Sequence, residues 1–188
     1  MQETALENYA KHCHLWLNDI EVAALDEGAE AIVIPSNKQG YIRKLINYKI
    51  HSTTPAEFLD NRISLYNYLF PETAYELIGF TKSNAFIMPD TFTFVVEQPF
   101  VQGRFIDFNH EASALKEEAN KRGFAFKVEN FKPLFVNNDY IIQDLHEKNI
   151  LVDKKGNLHF IDAVISLNTK DSRYNGIRTY GNGKVKNR

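Results

Sequence analysis

The 188-residue sequence has a single cysteine, Cys13, so it can hold no internal disulfide and no cysteine-built zinc site. A reducing, cytoplasmic setting is the expectation that follows. No run approaches the roughly 18 consecutive apolar residues that span a bilayer. The opening "MQETALENYAKHCHLWLND" has neither the basic start nor the unbroken apolar stretch of a secretion signal, so no membrane partner is expected. Neither charge sign dominates. The 22 Lys and Arg against 24 Asp and Glu leave a formal net charge of −2, which argues against a dedicated nucleic-acid binder. Internal repeats and low-complexity tracts are also missing.

What the chain does have is aromatic residues. Its 14 Phe and 9 Tyr are enough to build the core of one ordinary domain or of two small lobes. Residues 2–17 read as a helix, with Leu6, Tyr9, Cys13 and Trp16 or Leu17 at helical spacing. Strands at 21–25, 30–35 and 41–47, separated by "DEG" and "SNKQG", form an antiparallel meander. In "STTPAEFLDNRISLYNYLFP", Thr54 suits the N-cap, Pro55 the first helical position and Glu57 the third position of a capping box. Phe58, Ile63, Leu65 and Tyr66 give that helix an apolar face, and Pro71 ends it.

Residues 75–83 and 91–101 read as strands, and 109–122 as a polar helix closed at Gly123. Shorter strands are expected at 124–129, 134–136 and 140–142. The strand "NILV", the turn "DKKGN" and the strand "LHFID" follow, and "GNGKVKNR" reads as a frayed basic tail. The order predicts an α+β chain, with a β-rich part up to "VVEQPF" and then a mainly helical part carrying a hairpin.

The stretch "YIIQDLHEKNILVDKKGNLHFID" carries more polar chemistry than a hairpin needs. Moving a phosphoryl group from ATP requires a carboxylate to orient the acceptor, oxygen ligands for Mg²⁺ and a cation on the phosphates. Asp144 and Asn149 are five positions apart, the interval between the base and the metal-binding Asn of a kinase catalytic loop. Asp162 lies thirteen residues further on, where the hairpin folds it back beside Asn149. In "YIRKLIN" alternation sets Ile42, Lys44 and Ile46 on one face and Tyr41, Arg43 and Leu45 on the other. A lysine between isoleucines is unusual unless it points into a cleft; Arg43 is the alternative cation. Glu57 is the natural ion-pair partner for Lys44, although capping alone also explains it.

On these features the sequence resembles the protein-kinase-like superfamily over roughly residues 20–168. It is most similar to the kinase domain of bacterial polyvalent proteins, which travel in phages and conjugative elements. The matching stretches are "YIRKL", "TPAEFLDNRISLYNYLFPETAYELIGF", "VVEQPFVQG", "KRGF" and "NDYIIQDLHEKNILVDKKGNLHFID". The resemblance implies a compact two-lobed protein-kinase-like fold, with an antiparallel β-rich N-lobe over 1–97 and a small, truncated C-lobe over 98–188. It also implies ATP and Mg²⁺ as cofactors and a hydroxyl acceptor on a protein Ser, Thr or Tyr or on a small molecule.

Carried over by residue, Asp144 is the catalytic base, Asn149 and Asp162 are Mg²⁺ ligands, Lys44 is the phosphate clamp and Glu57 is its partner. The backbone of Val96, Glu97 and Gln98 becomes the hinge that meets adenine, with Pro99 offering no amide donor. Gly28 stands near the phosphate-covering turn. His146 matches the "D-L-H-x-x-N" of small-molecule kinases, as a loop-ordering hydrogen-bonder before a catalyst.

The departures are specific. No G-x-G-x-x-G precedes Lys44, Ile142-Gln143 stands before Asp144, and Asp162-Ala163-Val164 stands where "DFG" is usual. Two rival readings follow. One is a pseudokinase that binds a nucleotide or a partner without turnover. The other is a chain whose second lobe is completed by self-association or by a partner, across an apolar face near 105–135.

Overall fold

Helix α1 (Gln2–His12) stops short of the expected residue 17, because the chain turns at His14, whose φ is +58°. The next residues are drawn onto a sheet edge instead. Leu17 donates its amide to the Phe80 carbonyl at 2.8 Å, and Phe80 returns the bond to Leu15 at 2.8 Å. Trp16 thus forms a parallel bridge with Phe80, and its ring packs 6.0 Å from Phe92.

The computed structural model describes residues 2–168 apart from Asp19, Glu21 and Ala29; the basic tail lies outside the described residues. These residues group into two compact units. Met1–Leu59 with Ala74–Phe100 form the first, and Asp60–Thr73 with Val101 onward form the second. The mixed helix and antiparallel sheet make the chain α+β. Among the described residues no helix is long and apolar enough to cross a membrane.

The first unit holds a five-stranded antiparallel sheet in the order β1-β2-β3-β5-β4. Its strands are β1 (Asp26–Glu27), β2 (Ala31–Pro35), β3 (Tyr41–Ile46), β4 (Glu76–Ser83) and β5 (Thr91–Pro99). The expected meander is present, but its first strand moves from 21–25 to Asp26–Glu27. Val22 and Leu25 stay exposed there, so no buried face rewards a longer strand. Beneath the sheet Tyr48, Phe58, Phe80, Phe92 and Phe94 meet in tilted and edge-on pairs, the closest being Phe58–Phe94 at 4.6 Å.

Thr54 caps helix α2 (Pro55–Phe58) by accepting from the Glu57 amide, with Pro55 at its start. The chain then winds as a π-helical turn, Leu59–Ser64, into α3 (Leu65–Leu69). A single hydrophobic stripe cannot announce the π turn, because it is a change of hydrogen-bond register and not of periodicity.

The part of the second unit after Phe100 holds more strand than helix among the described residues, which corrects the expectation of a mainly helical part. It has one long helix, α4 (Phe108–Lys121), capped by Asp107 and closed by Gly123 at φ +77°. Two antiparallel sheets accompany it. β6 (Gly103–Phe105), β10 (Ile150–Asp153) and β11 (Leu158–Phe160) run in the order β11-β10-β6. β7 (Ala125–Glu129), β8 (Lys132–Val136), β9 (Tyr140–Gln143) and β12 (Val164–Leu167) run in the order β12-β9-β8-β7. β6 and β12 are three and four residues long, too short to carry a periodic signal.

The pairing has a consequence for position. β9 pairs with β12 through Gln143↔Val164, and β10 pairs with β11 through Ile150↔Phe160. Residues 144–149 and 161–163 are therefore the two links between the sheets, and register forces them to run side by side.

Candidate functional site

Three sequence-selected residues sit on the first of these links. Leu145 is buried and anchors it, which leaves Asp144 and His146 facing outward, partly exposed. Asn149 is buried and ends a 3-10 turn whose amide bonds back to the His146 carbonyl at 2.9 Å. The Asn149 side chain gathers the loop. Its Nδ2 donates to the Asp144 carbonyl at 2.9 Å and to Asp144 Oδ2 at 3.2 Å. Both partners are acceptors, so the amide nitrogen must face them, and Oδ1 lies on the other side of the amide.

Asp144 has φ +60°, the left-handed region that non-glycine residues rarely adopt. Aspartate tolerates it better than most, at a strain on the order of 1–3 kcal/mol. His146 Nε2 lies 3.9 Å from Asp144 Oδ2, an ion pair only when the ring is protonated.

Asp162 sits on the second link. The Ile161 amide bonds to the Asn149 carbonyl at 3.0 Å, and the Asp162 carbonyl lies 3.5 Å from Asn149 Nδ2. The structure thus brings Asp144, His146, Asn149 and the Asp162 backbone to one place in the second unit.

Lys44, Glu57, Gly28 and residues 96–98 belong to the first unit. Lys44 is 2% exposed in β3, opposite Val96, and its ammonium lies 5.6 Å from the centroid of the Tyr75 ring. A lysine is rarely buried to this degree unless it is paired. Glu57 accepts from both the amide and the hydroxyl of Thr53 at 2.7 Å, closing the helix start one residue further out than a standard capping box.

Gly28 is exposed in the β1–β2 turn, where its amide bonds to the Ala31 carbonyl at 2.8 Å. Val96, Glu97 and Gln98 lie inside β5, buried. The ladder with β4 ends at Glu97, while the ladder with β3 continues to Pro99.

Arg43 faces away from Lys44, as alternation requires, and pairs with Glu97 at 2.8 Å. Ser36 Oγ donates to the same carboxylate oxygen at 2.6 Å. Burial raises the Glu97 carboxyl, but the bonds from Ser36 and Arg43 outweigh it and hold the group below its ordinary range. Sequence reasoning passed over this triad, because nothing local links positions 36, 43 and 97.

It also passed over Arg62, Tyr66 and Thr73, which bond to the Phe160 and Ala163 carbonyls that bracket Asp162. A signal was available. Arg62 lies four residues from both Phe58 and Tyr66, an arginine on a buried stripe.

Among the described residues no three His, Cys, Asp or Glu side chains cluster to hold a metal. The oxygens on offer come from an asparagine amide and from single carboxylates. Such hard donors suit Mg²⁺, which keeps several waters and shares its coordination with substrate phosphates.

A family model described as a serine/threonine/tyrosine kinase found in polyvalent proteins matches residues 1–169. Neither a curated protein nor a solved structure matches the chain.

Proposed function

Because the chain belongs to the serine/threonine/tyrosine kinase family found in polyvalent proteins, we propose that it transfers a phosphoryl group from ATP to a hydroxyl, using Mg²⁺ on a two-lobed, kinase-like arrangement. The acceptor is a protein Ser, Thr or Tyr or a small-molecule alcohol. The observation that carries this reading is the Asp144–Asn149 loop, where one buried amide holds a strained aspartate in place. Strain of this kind persists only where surrounding contacts enforce it, and it gathers at functional sites.

In this reading Asp144 orients the acceptor hydroxyl and takes its proton. Asn149 Oδ1 and the Asp162 carboxylate hold the metal, which neutralises and aligns the phosphates when bound. Lys44 sets its ammonium against the α- and β-phosphates. Glu57 keeps the helix that follows β3 in register through Thr53 and serves as the partner of Lys44. Adenine meets the backbone at the Gln98 end of β5, since Val96 and Glu97 are engaged in ladders on both sides. His146 orders the loop through its carbonyl. Gly28 covers phosphate through its turn.

Calorimetry of ATP binding with and without Mg²⁺, on the wild type and on Asp162→Asn, tests the proposal. Binding that needs Mg²⁺ and is lost in the variant supports it. Heat that is independent of Mg²⁺ and unchanged in the variant overturns the metal assignment.

One observation favours a second reading, a nucleotide-binding pseudokinase. β1 is only two residues long and 22–28 are exposed, a meagre cover for phosphates. Metal-dependent binding without ADP release under any acceptor, including water, would select it.

A further inference from the structure

The backbone around Asp162 is held from outside its own link. The Phe160 carbonyl accepts from Tyr66 Oη at 2.6 Å and from Thr73 Oγ1 at 2.6 Å. The Ala163 carbonyl accepts from Arg62 Nη1 at 3.1 Å. The Asp162 carbonyl between them lies 3.5 Å from Asn149 Nδ2. Three carbonyls within four residues are thus met by side chains, three of those side chains coming from the single segment 60–73.

All three are buried: Arg62 is 7% exposed, Tyr66 1% and Thr73 fully enclosed. Burying a guanidinium is costly, and an apolar residue of similar volume would pack the same stripe without that cost. What an apolar residue lacks is a donor for the Ala163 carbonyl. Arg62 also sits in the π-helical turn Leu59–Ser64, a rare geometry that recurs at functional sites. Ala163 adds only a methyl group of its own to wedge the segment in place, so the hold comes from the donors.

We infer that Arg62, Tyr66 and Thr73 are positioning residues that pin the Phe160 and Ala163 carbonyls, which bracket Asp162, and so set the direction its carboxylate faces. The inference rests on the kinase reading for what that carboxylate does. Without the clamp, the 161–163 link would keep its strands on either side but lose its fixed peptide orientation, and a metal ligand must be aimed to within a fraction of an ångström.

The test combines two measurements on the full chain: amide hydrogen exchange, and calorimetry of ATP with Mg²⁺ and with EDTA. Arg62→Gln should speed exchange at 161–166 while β2 and β3 keep wild-type rates. It should weaken Mg²⁺-dependent ATP binding by roughly ten- to a hundredfold, the scale for losing a charged hydrogen bond, and leave binding in EDTA unchanged.

Arg62→Lys keeps the charge without the planar fork and should fall between wild type and Gln. The shape-conserving double variant Tyr66→Phe, Thr73→Val should show the same pattern, and it carries the test if Arg62→Gln does not fold. Unchanged exchange at 161–166 overturns the clamp. So does faster exchange with unaltered Mg²⁺-dependent affinity, which would leave a purely structural role. A wild type that binds no Mg²⁺-ATP overturns the kinase reading itself, and that failure is seen before any variant is made.

Discussion

Glu97 gathers three donor groups on one carboxylate oxygen: Ser36 Oγ, Arg43 Nη2 and, more distantly, Arg43 Nε. Its folded carboxyl titrates below the ordinary value because those bonds outweigh burial. A depressed folded value means that this contribution to stability is full above the unfolded value of about 4.5 and is lost as the pH falls through the folded one. Denaturant melts between pH 7 and pH 3 should therefore show a loss below about 4.5, and the loss should be smaller in Glu97→Gln. At pH 7 the variant should be less stable by about 2–3 kcal/mol, below the range for a fully buried pair because Arg43 keeps some solvent contact. A variant with wild-type stability and an unchanged acid limb would remove Glu97 from this account. Arg43, Lys44 and the arginine at 62 show what is readable at this scale. Alternation separates the first two onto opposite faces, but which carbonyl a buried arginine reaches depends on a link a hundred residues away.

At the scale of elements, the docking of residues 15–17 on β4 depends on Gly79. A Cβ there would lie 2.2 Å from the Leu15 carbonyl oxygen, next to the bulge between Leu77 and Gly79. Gly79→Ala should therefore cost about 1–3 kcal/mol, the range for overpacking, and should quench the burial of Trp16, which packs beside this contact. A red-shifted Trp16 emission alongside the lower denaturation midpoint is the expected signature; an unshifted spectrum would mean that the segment does not need the contact. Elements with full periodic patterns were legible: β2 to β5, α4 and the β10–β11 hairpin all fall within a residue or two of their expected spans. The misses have separate causes. α1 ended early because edge bonds to β4 outcompeted about one more turn of helix, and β6 and β12 are defined by their pairing with β10 and β9 and not by a pattern of their own.

For the whole molecule, the kinase reading requires residues of both units to act on one nucleotide. Trp16, the only tryptophan, reports on the first unit, while far-UV circular dichroism reports on both. Mg²⁺-ATP at about 100 times its Kd should add ~2.7 kcal/mol of stability. For a chain of this size that raises the midpoint by roughly 5–10 °C. The two probes should move together. A shift confined to one probe would mean that the nucleotide engages one unit alone, against the reading. Exposed Phe105, Val128 and Phe131 in the second unit leave self-association as the companion proposal, and light scattering across a concentration series decides it.

By itself the sequence determined which residues alternate, where turns interrupt them, and that Asp144, Asn149 and Asp162 stand at spacings suited to one site. Those are local properties, set by backbone sterics and side-chain period within about twenty residues. Only the tertiary structure decided that two links between sheets lie side by side, that one asparagine amide ties them, and that the 60–73 segment reaches their carbonyls. Those contacts join residues up to a hundred positions apart. A buried carbonyl takes whichever donor the packed chain brings within reach, and no local pattern records that choice.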